Sequence, residues 1–80
     1  MKPLDLTLEI ISRADKAESR AGIEAGMTKG YIGSLKTQGK QPSLDAMMRL
    51  LDVCGYALCA VPADEIPPNA LVIGDEDGAE

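Results

Sequence analysis

The chain has no Phe, no Trp and no His, and only two Tyr and two Cys among its 80 residues. Without His there is no imidazole for acid–base work near neutral pH, and none to complete a tetrahedral metal site with Cys54 and Cys59. Two cysteines so close together make no disulfide framework. They are read instead as small core hydrophobes in a reducing compartment. No apolar run approaches the roughly 18 residues a membrane span needs, and no basic segment followed by an apolar one marks export. A cytoplasmic chain with no membrane partner is therefore expected. A Gly-rich phosphate loop of recognised spacing is missing too, as is a Ser or Cys with a visible base partner. The chain is accordingly expected not to be an enzyme and to need no cofactor and no metal.

What is present is Leu, Ile, Val, Met and Ala, enough for one small domain. At this length a single core buries only about 60% of the unfolded chain's surface. So light a core often borrows burial from a second subunit, and a homodimer is expected. The net charge is −5, but it is unevenly placed: residues 1–60 hold all eight basic residues and seven acidic ones, whereas residues 61–80 hold six acidic residues and no basic one. The acidity resides in the tail. Global charge is therefore a weak argument against nucleic acid, because binding depends on where Lys and Arg cluster.

Along the chain, "PLDLTLEIISRA" admits two periods. Leu4, Leu6, Leu8 and Ile10 alternate as in a strand, while Leu4, Leu8 and Ile11 fall at i, i+4 and i+7 with Pro3, Asp5 and Glu9 suited to a helix start. The helix is adopted. Asp15 and Glu18 have capping-box spacing, which predicts a helix over 16–25 with a small-residue face of Ala17, Ala21, Gly22 and Ala25, stopped by Gly26. Thr28 is placed to cap a third helix over 29–37, anchored by Ile32 and Leu35 and closed by Gly39. Pro42 and Ser43 open a fourth, whose Leu44, Met47, Met48, Leu51 and Cys54 make an apolar stripe ended by Gly55. Met47 and Met48 are read as packing. "YALCAV" after Gly55 and "ALVI" at 70–73 read as strands able to pair as a hairpin, and the last seven residues, "GDEDGAE", as disordered.

Two short helices joined by a Gly-containing turn, the second polar outside and flanked by packing helices, have a helix-turn-helix layout. The stretch "EAGMTKGYIGSLKTQGKQPSLDAMMRLLDVCGYAL", within residues 15–61, resembles the DNA-binding domain of the phage repressor and Cro family, also called the XRE family. The resemblance rests on Ala25 and Gly26 in the turn, Thr28, "YIGSL", Gly39 with Lys40, and "PSLDAMMRLLDVCGY".

That resemblance implies a mostly α, lambda-repressor-like bundle of four or more helices with a short C-terminal β-strand or hairpin, spanning residues 1–62 and followed by an acidic tail at 63–80. It also implies a sequence-specific regulator, a repressor, whose dimer binds double-stranded DNA at a pseudo-palindromic operator. Carried over, Lys29, Gly30, Gly33 and Ser34 face bases, and Thr28, Tyr31, Lys36 and Lys40 meet phosphate. Two plainer readings stand beside these. The lysines also fit an ordinary solvated face, and Tyr31 fits a half-buried core position with a wet hydroxyl. The alternative function is an antitoxin or adaptor that uses the same fold mainly to bind a protein partner such as a toxin. Glu18, where the family often has Gln, points that way, as do the two glycines and the tail.

Overall fold

The computed structural model describes residues 1–74. Among them four α-helices follow one another: α1 (Pro3–Arg13), α2 (Glu18–Glu24), α3 (Tyr31–Gln38) and α4 (Leu44–Val53), then one 3₁₀ turn at Ala63–Glu65. The chain is mostly helical, as expected. The C-terminal strand or hairpin is not there: among the described residues no segment forms a strand. No helix of the described residues is long and apolar enough to cross a membrane.

The two competing periods of α1 have a tertiary origin, because the helix is buried along more than one line. Leu6 and Ile10 pack with Met47 and Leu51 of α4, while Ile11 joins Ala21, Ala25, Ile32 and Leu50 in the central cluster. Between these lines lies Thr7, fully buried, whose hydroxyl donates to the Pro3 carbonyl at 2.8 Å. The first turn has no side-chain cap from Lys2. Its orphan donor at Leu4 is instead taken by the Gln41 side chain, whose Oε1 accepts at 2.8 Å from across 37 residues of chain.

Asp15 does not cap α2. It holds φ 57° as the residue that ends α1: the Asp15 amide donates to the Ser12 carbonyl and the Lys16 amide to the Ile11 carbonyl, which satisfies two carbonyls of the last turn. Helix α2 therefore starts at Glu18, after an uncapped Ala17, and is shorter than expected. Ala21, Gly22 and Ala25 are buried as the small-residue face, whereas Ala17, at the cap, is exposed. Gly26, at φ 85°, ends α2 with the same pair of bonds, from Gly26 to Ile23 and from Met27 to Gly22.

Ser43 caps α4 through Oγ, which accepts from the Ala46 amide at 3.1 Å. The buried stripe of this helix is Ala46, Met47, Leu50 and Leu51. It is rotated from the expected one, since Leu44 and Met48 are 66% and 51% exposed. The packing role given to Met48 is thereby corrected. Helix α4 lies against both α1 and α2, and α2 carries α3. Ile32 of α3 and Leu50 of α4 are among the largest fully buried side chains. Burying each contributes about 1.5–3 kcal/mol, and together they tie α3 to the centre of the bundle.

Beyond Gly55, among the described residues, Leu58 and Leu71 pack against the core, next to Leu6, Ile10, Met47 and Leu51. The two apolar runs line one groove of about 530 Å³, together with Leu6, Ile10 and Leu51. They do not form a ladder. Residues 72–74 bond to the chain start instead, the Gly74 amide donating to the Met1 carbonyl at 2.8 Å and the Met1 amino group to the Val72 carbonyl at 3.2 Å. The connection contains Pro62, Pro67 and Pro68, which donate nothing to a ladder, and a lone two-stranded hairpin is marginal in water. Of the acidic tail, residues 63–74 are coil with the one 3₁₀ turn, and residues 75–80, part of the segment expected to be disordered, lie outside the described residues.

Candidate functional site

Residues 25–44 contain Lys29, Lys36 and Lys40 and no Asp or Glu, in a chain with an overall excess of acid. Three cations without an acid in twenty residues concentrate positive charge in this stretch, and α3 is its centre. Ile32 and Leu35 face inward, so the helical period turns Gly33, Ser34 and Thr37 outward, and all three are exposed. At about 1.5 Å per residue the helix is about 12 Å long, with Lys29 before its start and Lys40 after its end.

The expected start of this helix needs correction. It begins at Tyr31 with Gly30 at the cap and no side-chain cap, so Thr28, Lys29 and Gly30 form the approach turn. Thr28 takes part through its carbonyl, which accepts from the Tyr31 amide at 3.2 Å, and its side chain caps nothing. Gly30 is not in the helix interior and does not carry the interior penalty of a glycine. Tyr31 is half-buried and packs on the central cluster, which agrees with the plainer reading of it as a core residue. At the other end the Lys40 amide donates to the Leu35 carbonyl, which fixes the backbone from which Lys40 projects.

Of the eight singled-out positions, the structure gathers Lys29, Gly30, Gly33, Ser34, Lys36 and Lys40 as exposed residues in and around α3, with Thr28 exposed in the turn beside them. Thr37 belongs with them and was missed. It lies one turn beyond Gly33, and its hydroxyl donates to the Gly33 carbonyl at 2.9 Å. The signal was available as the i, i+4 spacing from Gly33.

The lysines differ in their partners. Lys36 Nζ donates to both carboxylate oxygens of Glu18, at 3.1 and 3.3 Å, across the gap between α3 and α2. Among the described residues Lys29 and Lys40 have no such pairing. Elsewhere Arg13 pairs with Glu9, Lys16 and Arg20 with Glu24, and Arg49 with Asp45. The hydrogen bond from Lys16, at 2.8 Å, holds the Glu24 carboxyl below the usual glutamate range.

Two groups off this surface complete the inventory. Burial pushes the Cys54 thiol up from its ordinary range, as suits a half-buried packing residue, whereas Cys59 is exposed and not the core hydrophobe expected. Among the described residues no group of three or more Cys, Asp or Glu is placed to hold a metal ion. Compared with known proteins, the chain matches no family model, no curated protein and no solved structure.

Proposed function

We propose that the chain is a sequence-specific DNA-binding regulator with a lambda-repressor-like helix-turn-helix, in which α2 and the turn after it set α3 into the major groove. The observation that carries this reading is the surface around α3. Residues 25–44 contribute no acid to it, its outward side chains are small or polar, and among the described residues Lys29 and Lys40 stand unpaired before and after the helix. Small outward residues allow a helix backbone to come close to base edges. Ser34 donates or accepts there, Lys29 reaches guanine O6 and N7, and Lys40 meets phosphate.

The regulator acts as a homodimer in the cytoplasm. Tyr56, Val61, Ile66, Val72 and Ile73 are exposed along the C-terminal arm, apolar area that a second subunit would cover. Two copies related by a two-fold axis present two α3 helices to a pseudo-palindromic operator about one helical turn apart. Repression is steric, by occupation of an operator that overlaps a promoter. A second reading, an antitoxin or adaptor that binds a protein, draws on Leu44 and Met48, whose apolar side chains are exposed on α4.

Selection from random duplex DNA with the purified full-length protein, at moderate salt, tests the choice. Enrichment of a pseudo-palindrome is the expected result. No enrichment over input would overturn the DNA reading and leave the protein-binding one.

A further inference from the structure

We infer that Glu18 restrains this surface: by holding Lys36 as its own counterion, it removes one cation from phosphate binding and makes recognition depend more on the contacts of α3. This rests on the DNA reading above and adds a residue to it.

Glu18 is the first residue of α2 and Lys36 lies in the last turn of α3, so the pair spans the two helices of the motif. Both carboxylate oxygens lie within hydrogen-bond reach of the one ammonium, and the side chains keep 40% and 49% of their exposure. A pair so exposed contributes little to folding. Its consequence for an approaching polyanion is larger. Among the described residues no carboxylate neutralises Lys29 or Lys40, whereas Lys36 arrives with one attached.

A phosphate that takes Lys36 must displace Glu18 and then sit beside a freed carboxylate, and one that leaves the pair intact gains no net charge from it. In either case the pair releases no additional counterion. Counterion release supplies essentially all sequence-independent affinity, so such a pair weakens binding to every duplex alike and leaves base contacts untouched. The ratio of specific to non-specific affinity is unchanged by this, but base contacts supply a larger share of the total binding free energy.

The test measures affinity for a labelled duplex of mixed sequence across a salt series, using full-length protein, Glu18→Gln, Lys36→Gln and the double variant, with thermal unfolding as the control for folding. Glu18→Gln is expected to bind more tightly and to steepen the log–log salt slope by about 0.9, the value for one further phosphate. Between about 50 and 200 mM salt that is an additional loss of about 3.5-fold. On the Lys36→Gln background most of the gain should vanish, and Lys36→Gln alone should change the slope little. A protein that binds duplex with an unchanged slope in Glu18→Gln, or one whose slope falls by a full contact in Lys36→Gln alone, would overturn the restraint while leaving the DNA reading in place. If no variant binds duplex at any salt, both are overturned together.

Discussion

Replacing Gly33 with Ala separates what α3 contributes to folding from what it presents outward. Gly33 is exposed in the third position of the helix, and a Cβ built there meets nothing within 4 Å. In a helix interior Gly is disfavoured relative to Ala by about 0.8–1 kcal/mol, and closeness to the helix start trims the gain to about 0.5–1 kcal/mol. At about 2.1 cal/mol/K per residue, a domain of this size has an unfolding entropy of about 170 cal/mol/K, so Tm should rise by about 3–6 °C. Far-ultraviolet circular dichroism on both proteins reads this directly. Gly22→Ala is the matched contrast. Its Cβ would come within 3.2 Å of the Thr28 carbonyl oxygen, which already accepts from the Tyr31 amide. The same propensity gain is there offset by displacement of the turn that starts α3, and Tm should fall. An unchanged or lower Tm for Gly33→Ala would refute the reasoning, since it would place some other group against that face in the free protein. Under the DNA reading the added methyl also weakens duplex binding, so a firmer fold and a poorer binder should appear in the same variant.

Four further outcomes follow from local geometry. Gln41→Ala leaves the Leu4 amide without its acceptor and should cost about 1 kcal/mol in urea unfolding, with faster hydrogen exchange at the start of α1. Asp15→Gly relieves a non-glycine residue at φ 57° and should stabilise by about 0.5–1 kcal/mol, a gain that a loss of stability in the same assay would contradict. Glu24 has a lowered folded pKa, so its contribution is present above the ordinary glutamate range and lost as pH falls through the lowered value. Glu24→Gln should therefore flatten the acid limb of stability against pH, and identical limbs would contradict the assigned cause, chiefly the bond from Lys16. Iodoacetamide at neutral pH should label exposed Cys59 well before half-buried Cys54, as followed by intact mass.

Much of the helical order was legible in the residues because it depends on signals only a few positions apart. Pro3 with Asp5 at the start of α1, Ser43 before α4, and the glycines 26, 39 and 55 after three of the helices act within one turn of chain, and the structure places each at a helix end. Asp15 shows the limit of such signals. An acid three residues before Glu18 suits an N-cap, yet the same side chain tolerates the left-handed conformation that ends the previous helix, and only the placement of α1 against α2 decides between them. The positions in and around α3 came from the resemblance of its motif to a known family, whereas the bond that ties Lys36 to Glu18 was not legible, because it joins residues that are neighbours only after folding.

The sequence by itself determined the helical class, the approximate boundaries of four helices and the concentration of positive charge in a stretch without acid. Each is a property of composition, or of interactions between residues within about one helical turn. Tertiary structure decided the rest. It turned Leu44 and Met48 outward, because α4 meets α1 and α2 along Ala46, Met47, Leu50 and Leu51. It supplied the α1 cap from Gln41, and it left the apolar C-terminal segments as coil, with residues 72–74 bonded to the chain start in place of a hairpin. The physical reason is common to all three. A strand ladder, a remote cap and the choice between adjacent faces of a helix draw their energy from partners distant in sequence, and local pattern does not specify which partner will be there.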